Sequence, residues 1–154
     1  AVNDRQKSVL SKKIENYFSG QGGLGDKKLA IWGLAFKANT DDIRESAAIE
    51  TIKLLTAKGM KVRAFDPKAG QNSRDQLVSN PLVEISDDQY DIIEGADALA
   101  VLTDWNQFRN PDFNKIKKLL KEPILFDGRN LYSSTFLESH GFTYFGIGRP
   151  IISL

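Results

Sequence analysis

The sequence predicts an α/β fold: a doubly wound, parallel, six-stranded sheet with helices on both faces and one further helix ahead of it. Three observations predict it. Short continuous apolar runs recur, as in strands buried on both faces. These runs alternate with segments of helical periodicity, six times along the chain. Glycines and capping residues punctuate the joins. Right-handed crossovers then give the Rossmann-like strand order 3-2-1-4-5-6.

Residues 1–18 read as a helix, with Leu10, Ile14, Tyr17 and Phe18 on one face. Residues 19–26, SGQGGLGD, form a glycine-rich break and a candidate linker. The first strand is expected at 29–32, followed by a turn at Gly33 and a polar loop. Asp42-x-x-Glu45 has capping-box spacing, so the next helix is expected from Asp42, with Ala48, Ile49, Ile52 and Leu55 as its apolar stripe. In nucleotide-binding α/β folds this loop and helix start offer unpaired N–H groups to a phosphate. Gly59 ends the helix, and the second strand runs over 60–65 to Asp66-Pro67. An acid at that place binds ribose in dinucleotide folds, but Pro67 follows at once and makes a turn the favoured reading.

Residues 68–80 are polar, with a short helix around 74–78, and the third strand is expected at 82–85. Ser86-x-x-Gln89 predicts a capped helix carrying Tyr90 and Ile93 and ended by Gly95. The fourth strand covers 96–102. Asn110-Pro111 suits an N-cap and first helical position, ahead of a helix burying Phe113, Ile116, Leu119 and Leu120. Lys117, Lys118 and Lys121 on that helix read as a solvated face. The fifth strand is 124–126, then Thr135-x-x-Glu138 caps a helix over 135–139, and 142–147 is the sixth strand. His140, the one histidine, reads as a helix C-terminal cap rather than a ligand or base.

With 154 residues, 41% hydrophobic and 27% charged, the chain can bury a real core. A net charge of +1 without a basic block argues against nucleic acid or an anionic membrane as partner. No apolar run reaches membrane-spanning length, and cytoplasmic is the default location. Zero cysteines exclude disulfides, thiolate metal sites and thiol nucleophiles. No His, Cys or carboxylate cluster suggests a metal site, and no base–nucleophile pair suggests a catalytic centre.

A sheet of this order places its ligand crevice past the strand C-terminal ends, where the order reverses between strands 1 and 4. Three loops can meet there: 33–44, 103–109 and 127–132. The first is not the dinucleotide fingerprint, since Ala35 and Ala38 stand where G-x-G-x-x-G needs glycine. It carries Phe36, which can stack on a base, with Lys37 and Arg44, which can pair with phosphate oxygens. A solvated Lys37, and an Arg44 paired with Asp41 or Glu45, is the equally open structural reading. Trp105, in the second loop, reads as packing rather than stacking.

The motifs in these loops are GLAFKANTDDIRES from Gly33, VLTDWNQFR from Val101 and FDGRN from Phe126. In that order they resemble the C-terminal domain of the UDP-glucose/GDP-mannose dehydrogenase family, and the resemblance covers nearly the whole chain. The resemblance implies that Phe36, Lys37 and Arg129 contact the UDP-sugar substrate and that Arg44 reaches NAD across a domain interface. Ala38 stands where Pro or Lys is common in the family. The family's reaction oxidises the sugar C6 hydroxyl to a carboxylate, using two NAD and a covalent thiohemiacetal on a cysteine. The cysteine and the NAD fingerprint lie in other parts of such enzymes, so this chain alone is expected to be inactive. The resemblance further implies a homodimer or higher oligomer of the whole enzyme. It places residues 1–26 at the end of an inter-domain helix and linker, and 27–154 in the UDP-sugar-binding domain. The apolar face of the first helix is then expected to lack its partner. A UDP-N-acetylhexosamine or GDP-mannose enzyme, or a stand-alone nucleotide-binding module, stays open as an alternative.

Overall fold

The computed structural model describes residues 2–35, 38–43, 46–77 and 79–146, with side chains of the first helix from Val9 onward. The helices are α1 (Val2–Ser19), α2 (Ala47–Thr56), α3 (Gly70–Leu77), α4 (Phe113–Leu119) and α5 (Ser134–Ser139). The strands are β1 (Lys28–Trp32), β2 (Lys61–Phe65), β3 (Val83–Ile85), β4 (Ala98–Val101), β5 (Ile124–Asp127) and β6 (Thr143–Gly146). They form one parallel sheet in the order β3-β2-β1-β4-β5-β6, as expected.

Strand alternation sorts the core into two layers. Leu29 and Ile31 of β1 join Val62, Ala98 and Phe126 under α1 and α2. Ala30 and Trp32 face the other way, with Leu99, Val101 and Leu125, toward Ile116 of α4 and Leu137 of α5. Trp32 is fully buried and stacks on Phe108, ring centroids 5.1 Å apart. Both faces of β1 and β4 are therefore dry, which is why these strands read as unbroken apolar runs.

The first helix corrects an expectation. Its apolar face has a partner within the chain: Leu10, Ile14 and Phe18 are buried in the first layer, and α1 packs along α2. Tyr17 sets its ring edge against Phe126 and Phe145 of β5 and β6. Lys13 Nζ donates to Gly146 O at 2.5 Å. The glycine-rich break after it is a hydrogen-bonded reversal, with Gln21 and Gly23 N–H donating to Phe18 O and Leu24 buried. Ile14→Ala is expected to destabilise the chain by about 2–5 kcal/mol, as for other aliphatic truncations in cores. A urea midpoint unchanged by the substitution would show that α1 is an appendage.

The helix starts also differ from the capping patterns. α2 begins at Ala47, not at Asp42, with Ser46 as N-cap accepting from Ile49 N–H. Ser46 wins because its hydroxyl also donates to Leu34 O at 2.7 Å, tying the helix start to the loop after β1. α4 is capped by Asp112 and α5 by Ser133, rather than by Asn110 and Thr135. The helix expected after Ser86 is one 3-10 turn, Asp91–Ile93, because Asp88 accepts from Tyr90 and Asp91 N–H while Ser86 accepts from Asp88 N–H. α3 starts earlier than expected, at Gly70, and Val78 lies outside the described residues. His140 is the C-cap of α5, as read from the sequence.

Candidate functional site

The loops after β1, β4 and β5 do meet at the C-terminal edge of the sheet. Gly33 turns the chain off β1 at φ +101°, and a Cβ there would lie 2.5 Å from Thr103 Cβ. The loops after β1 and β4 thus touch at the reversal of strand order, and only a glycine allows it. Thr103, fully buried, donates from Oγ1 to Ala35 O at 3.1 Å. Beyond this point Ala35 packs into one core layer and Ala38 against the other.

The N–H groups expected to be free for a phosphate are not free. Leu34 and Ala35 N–H donate to Asp66 Oδ2 at 2.7 and 3.1 Å. Asp66 Oδ1 accepts from Lys68 and Ala69 N–H at 2.8 and 2.7 Å, which is the turn expected of Asp-Pro. Trp105 Nε1 adds a fifth donor at 3.3 Å, and the indole is buried, so Trp105 packs rather than stacks on a ligand. Asp66 thus accepts from five donors within the chain, in line with the turn reading of Asp66-Pro67.

The loop after β5 is shaped by Asp127, which is fully buried. It accepts from Arg129 N–H, Tyr132 N–H and Tyr144 OH at 3.1, 3.0 and 2.7 Å. Tyr132 in turn donates from its hydroxyl to Phe108 O, bridging the β5 loop to the β4 loop. Burial, and after it the Asp127 carboxylate, pushes the Tyr132 phenol far above the usual tyrosine value. The neutral phenol is therefore kept in the folded state while the unfolded chain ionises near pH ~10. Its stability contribution is complete below that pH and is lost as pH rises beyond it, since only the unfolded state gives up the proton. Urea midpoints at pH ~9 and ~11 are expected to fall further for wild type than for Tyr132→Phe, around the tyrosine value of ~10. Equal falls would rule out the phenol as their source.

Arg129 stands on this braced loop with its side chain about a third exposed. Its Nη2 lies 3.7 Å from Asp104 Oδ1, across the mouth between the β4 and β5 loops. The pair leaves the Arg129 side chain partly open to solvent. Phe36, Lys37 and Arg44 lie outside the described residues. The structure thus brings Arg129 to the edge where the three loops meet. It places Thr103, Asp104, Asp66 and Asp127 there as the groups that build the edge.

Residues 30–134 match the UDP binding domain of the UDP-glucose/GDP-mannose dehydrogenase family. The chain belongs to that family. The match spans β1 to the start of α5 and contains all three loops at the sheet edge. Family relatives include UDP-glucose 6-dehydrogenase of Pseudomonas aeruginosa, 43% identical over 153 residues. That alignment covers 97% of this chain and 33% of the relative. UDP-glucose 6-dehydrogenase of Rhizobium meliloti is 39% identical over 150 residues, with 97% and 33% covered. The chain spans about a third of the length of the curated relatives it matches. Solved structures superpose on most of this chain. An NDP-N-acetyl-D-galactosaminuronic acid dehydrogenase from Methanosarcina mazei gives a TM-score of 0.76 at 27% identity, covering 93% of this chain and 29% of the other. A UDP-glucose dehydrogenase from Pyrobaculum islandicum gives 0.71 at 27% identity, covering 87% and 28%.

No helix among the described residues is long and apolar enough to cross a membrane. The N–H groups of Leu34 and Ala35, which follow the turn after β1, both donate to Asp66.

Proposed function

We propose that this chain is the UDP-holding part of a UDP-glucose 6-dehydrogenase, an enzyme that oxidises UDP-glucose to UDP-glucuronate. The observation that carries the reading is the exposed Arg129, held on a rigid loop at the sheet edge where the loops after β1, β4 and β5 converge. A uridine diphosphate at that edge would accept charge-assisted hydrogen bonds from Arg129. Phe36 and Lys37, in the family-like loop after β1, are the other proposed substrate contacts. Binding energy from the UDP group holds the sugar at a reacting centre supplied by the rest of the enzyme.

NAD is the proposed cofactor of the whole enzyme, seated outside this domain, with Arg44 reaching toward it. Arg44→Ala in the full-length enzyme would raise the NAD requirement and leave UDP binding intact. The whole enzyme is further proposed to be cytoplasmic and a homodimer or higher oligomer, acting on a nucleotide-sugar and on neither nucleic acid nor membrane. Residues 1–26 are proposed as the end of an inter-domain helix and its connection.

Calorimetry of the chain with UDP, UDP-glucose, UDP-N-acetylglucosamine and GDP tests the reading. Binding of the uridine compounds in preference to GDP, without NADH formation from UDP-glucose and NAD, is the expected result. No heat with any uridine compound would overturn it.

A further inference from the structure

One buried carboxylate collects five N–H donors at the edge of the sheet. Local turn chemistry accounts for two of them, Lys68 and Ala69, which follow Asp66 directly. It does not account for Leu34 and Ala35, which come from the loop after β1, or for Trp105, which comes from the loop after β4. Leu34 and Ala35 follow the Gly33 turn, where α/β nucleotide folds present the N–H groups that hold a pyrophosphate. The carbonyls of the same two residues are also taken, Leu34 O by Ser46 and Ala35 O by Thr103. Asp66 is 5% exposed, so its charge sits inside the nest rather than at its rim.

We propose that Asp66 is a built-in anion and a specificity-determining residue: its carboxylate fills the phosphate nest of the β1 loop and bars a dinucleotide from it. A phosphate at Leu34 and Ala35 would have to share the same two donors with a carboxylate and meet its charge at close range, which is strongly unfavourable in a buried site. The nucleotide's phosphates are thereby kept off the Leu34 and Ala35 N–H groups and confined to other groups of the edge, such as Arg129. That confinement rests on the proposed UDP reading; the filled nest does not, and it is tested without any nucleotide.

Asp66→Gly removes the carboxylate and leaves the four backbone donors and the Trp105 indole in the chain. Its melting temperature is expected to fall and then to rise saturably with sodium formate, against sodium chloride at equal ionic strength. At formate ten times its dissociation constant the rise is about 3–6 °C for a domain of this size. Wild type and Asp66→Asn, whose nests are filled by a side chain, are expected not to respond. Damage to packing alone would not be repaired by formate. Inorganic pyrophosphate is the second probe, and it should raise the melting temperature of Asp66→Gly by more than that of wild type. Equal responses of wild type and Asp66→Gly to formate would overturn the filled nest. A formate response without a pyrophosphate difference would overturn the barrier to a dinucleotide. If Asp66→Gly does not fold in chloride, refolding in formate replaces the melt, and failure to recover folded protein there counts against the proposal. Calorimetry of wild type with UDP fails or succeeds separately, so the two readings can be told apart.

Discussion

Gly33→Ala is expected to destabilise the chain by about 2–5 kcal/mol. Two costs add. The backbone at φ +101° lies in the region that an L side chain rarely enters, at about 1–2 kcal/mol. The new Cβ would meet Thr103 Cβ and Oγ1 at 2.5 Å and Thr103 N at 2.7 Å, and relieving such overpacking costs about 1–3 kcal/mol. The clash cannot relax cheaply, because Thr103 is fully buried and hydrogen-bonded to Ala35 O. Urea unfolding of Gly33→Ala, Thr103→Gly and the double variant separates the terms. Thr103→Gly removes the side-chain clash but neither the backbone approach nor the φ penalty, so the double variant should show a favourable coupling and incomplete recovery. A change below about 1 kcal/mol in the single variant would mean that the two loops part more easily than their packing implies.

Arg129→Ala is expected to weaken UDP binding by about one to two decades while leaving stability nearly unchanged. The first figure follows from a charge-assisted hydrogen bond worth roughly 1.5–3 kcal/mol, with ~1.4 kcal/mol per decade. The second follows from the Asp104 pair. At 3.7 Å, with both side chains about a third exposed, it belongs with surface ion pairs that contribute about 0–1 kcal/mol. The loop itself is held by Asp127 through the backbone N–H of residue 129, which the substitution keeps. Lys37→Ala is expected to lose a similar amount of UDP affinity if its side chain shares the edge. Calorimetry and a thermal melt on each variant decide the matter. Intact UDP affinity in a protein with a lowered melting temperature would make Arg129 a structural residue and remove it from the site.

The strands were legible because burial on both faces leaves no polar position in β4, or in β1 after Lys28, and the strand order followed from the crossovers. Helix starts were less legible. Around each start several residues can cap, and the choice is made by a distant partner: Ser46 displaces Asp42 because Leu34 O lies within reach of its hydroxyl. The partner of α1 was missed for a similar reason, since the expectation followed the likeness to a longer protein and not the length of the apolar stripe. At the site, Arg129 was marked by its motif, but nothing in the sequence placed Asp104 of the β4 loop beside it. The five-donor role of Asp66 was hidden because three of its donors are more than thirty residues away in sequence. The visible signal was negative: an acid closing β2 in a chain without the glycine fingerprint.

The central place of β1 has a kinetic consequence. β1 pairs on one side with β2 and on the other with β4, whose first residue, Ala98, lies far along the chain. Pairing with β2 closes one crossover, but pairing with β4 requires the whole β2–β3 half to be looped out first, at an entropic cost recovered only when the second layer of the core closes. Lys28 N–H already finds Asp97 Oδ2 at 2.8 Å just ahead of that pairing, which makes Asp97 a candidate early partner. Folding should therefore run on the slow side for a chain of this size, limited by β1 meeting β4. Substitutions in β4 should slow folding, whereas those in the peripheral strands β3 and β6 should mainly speed unfolding.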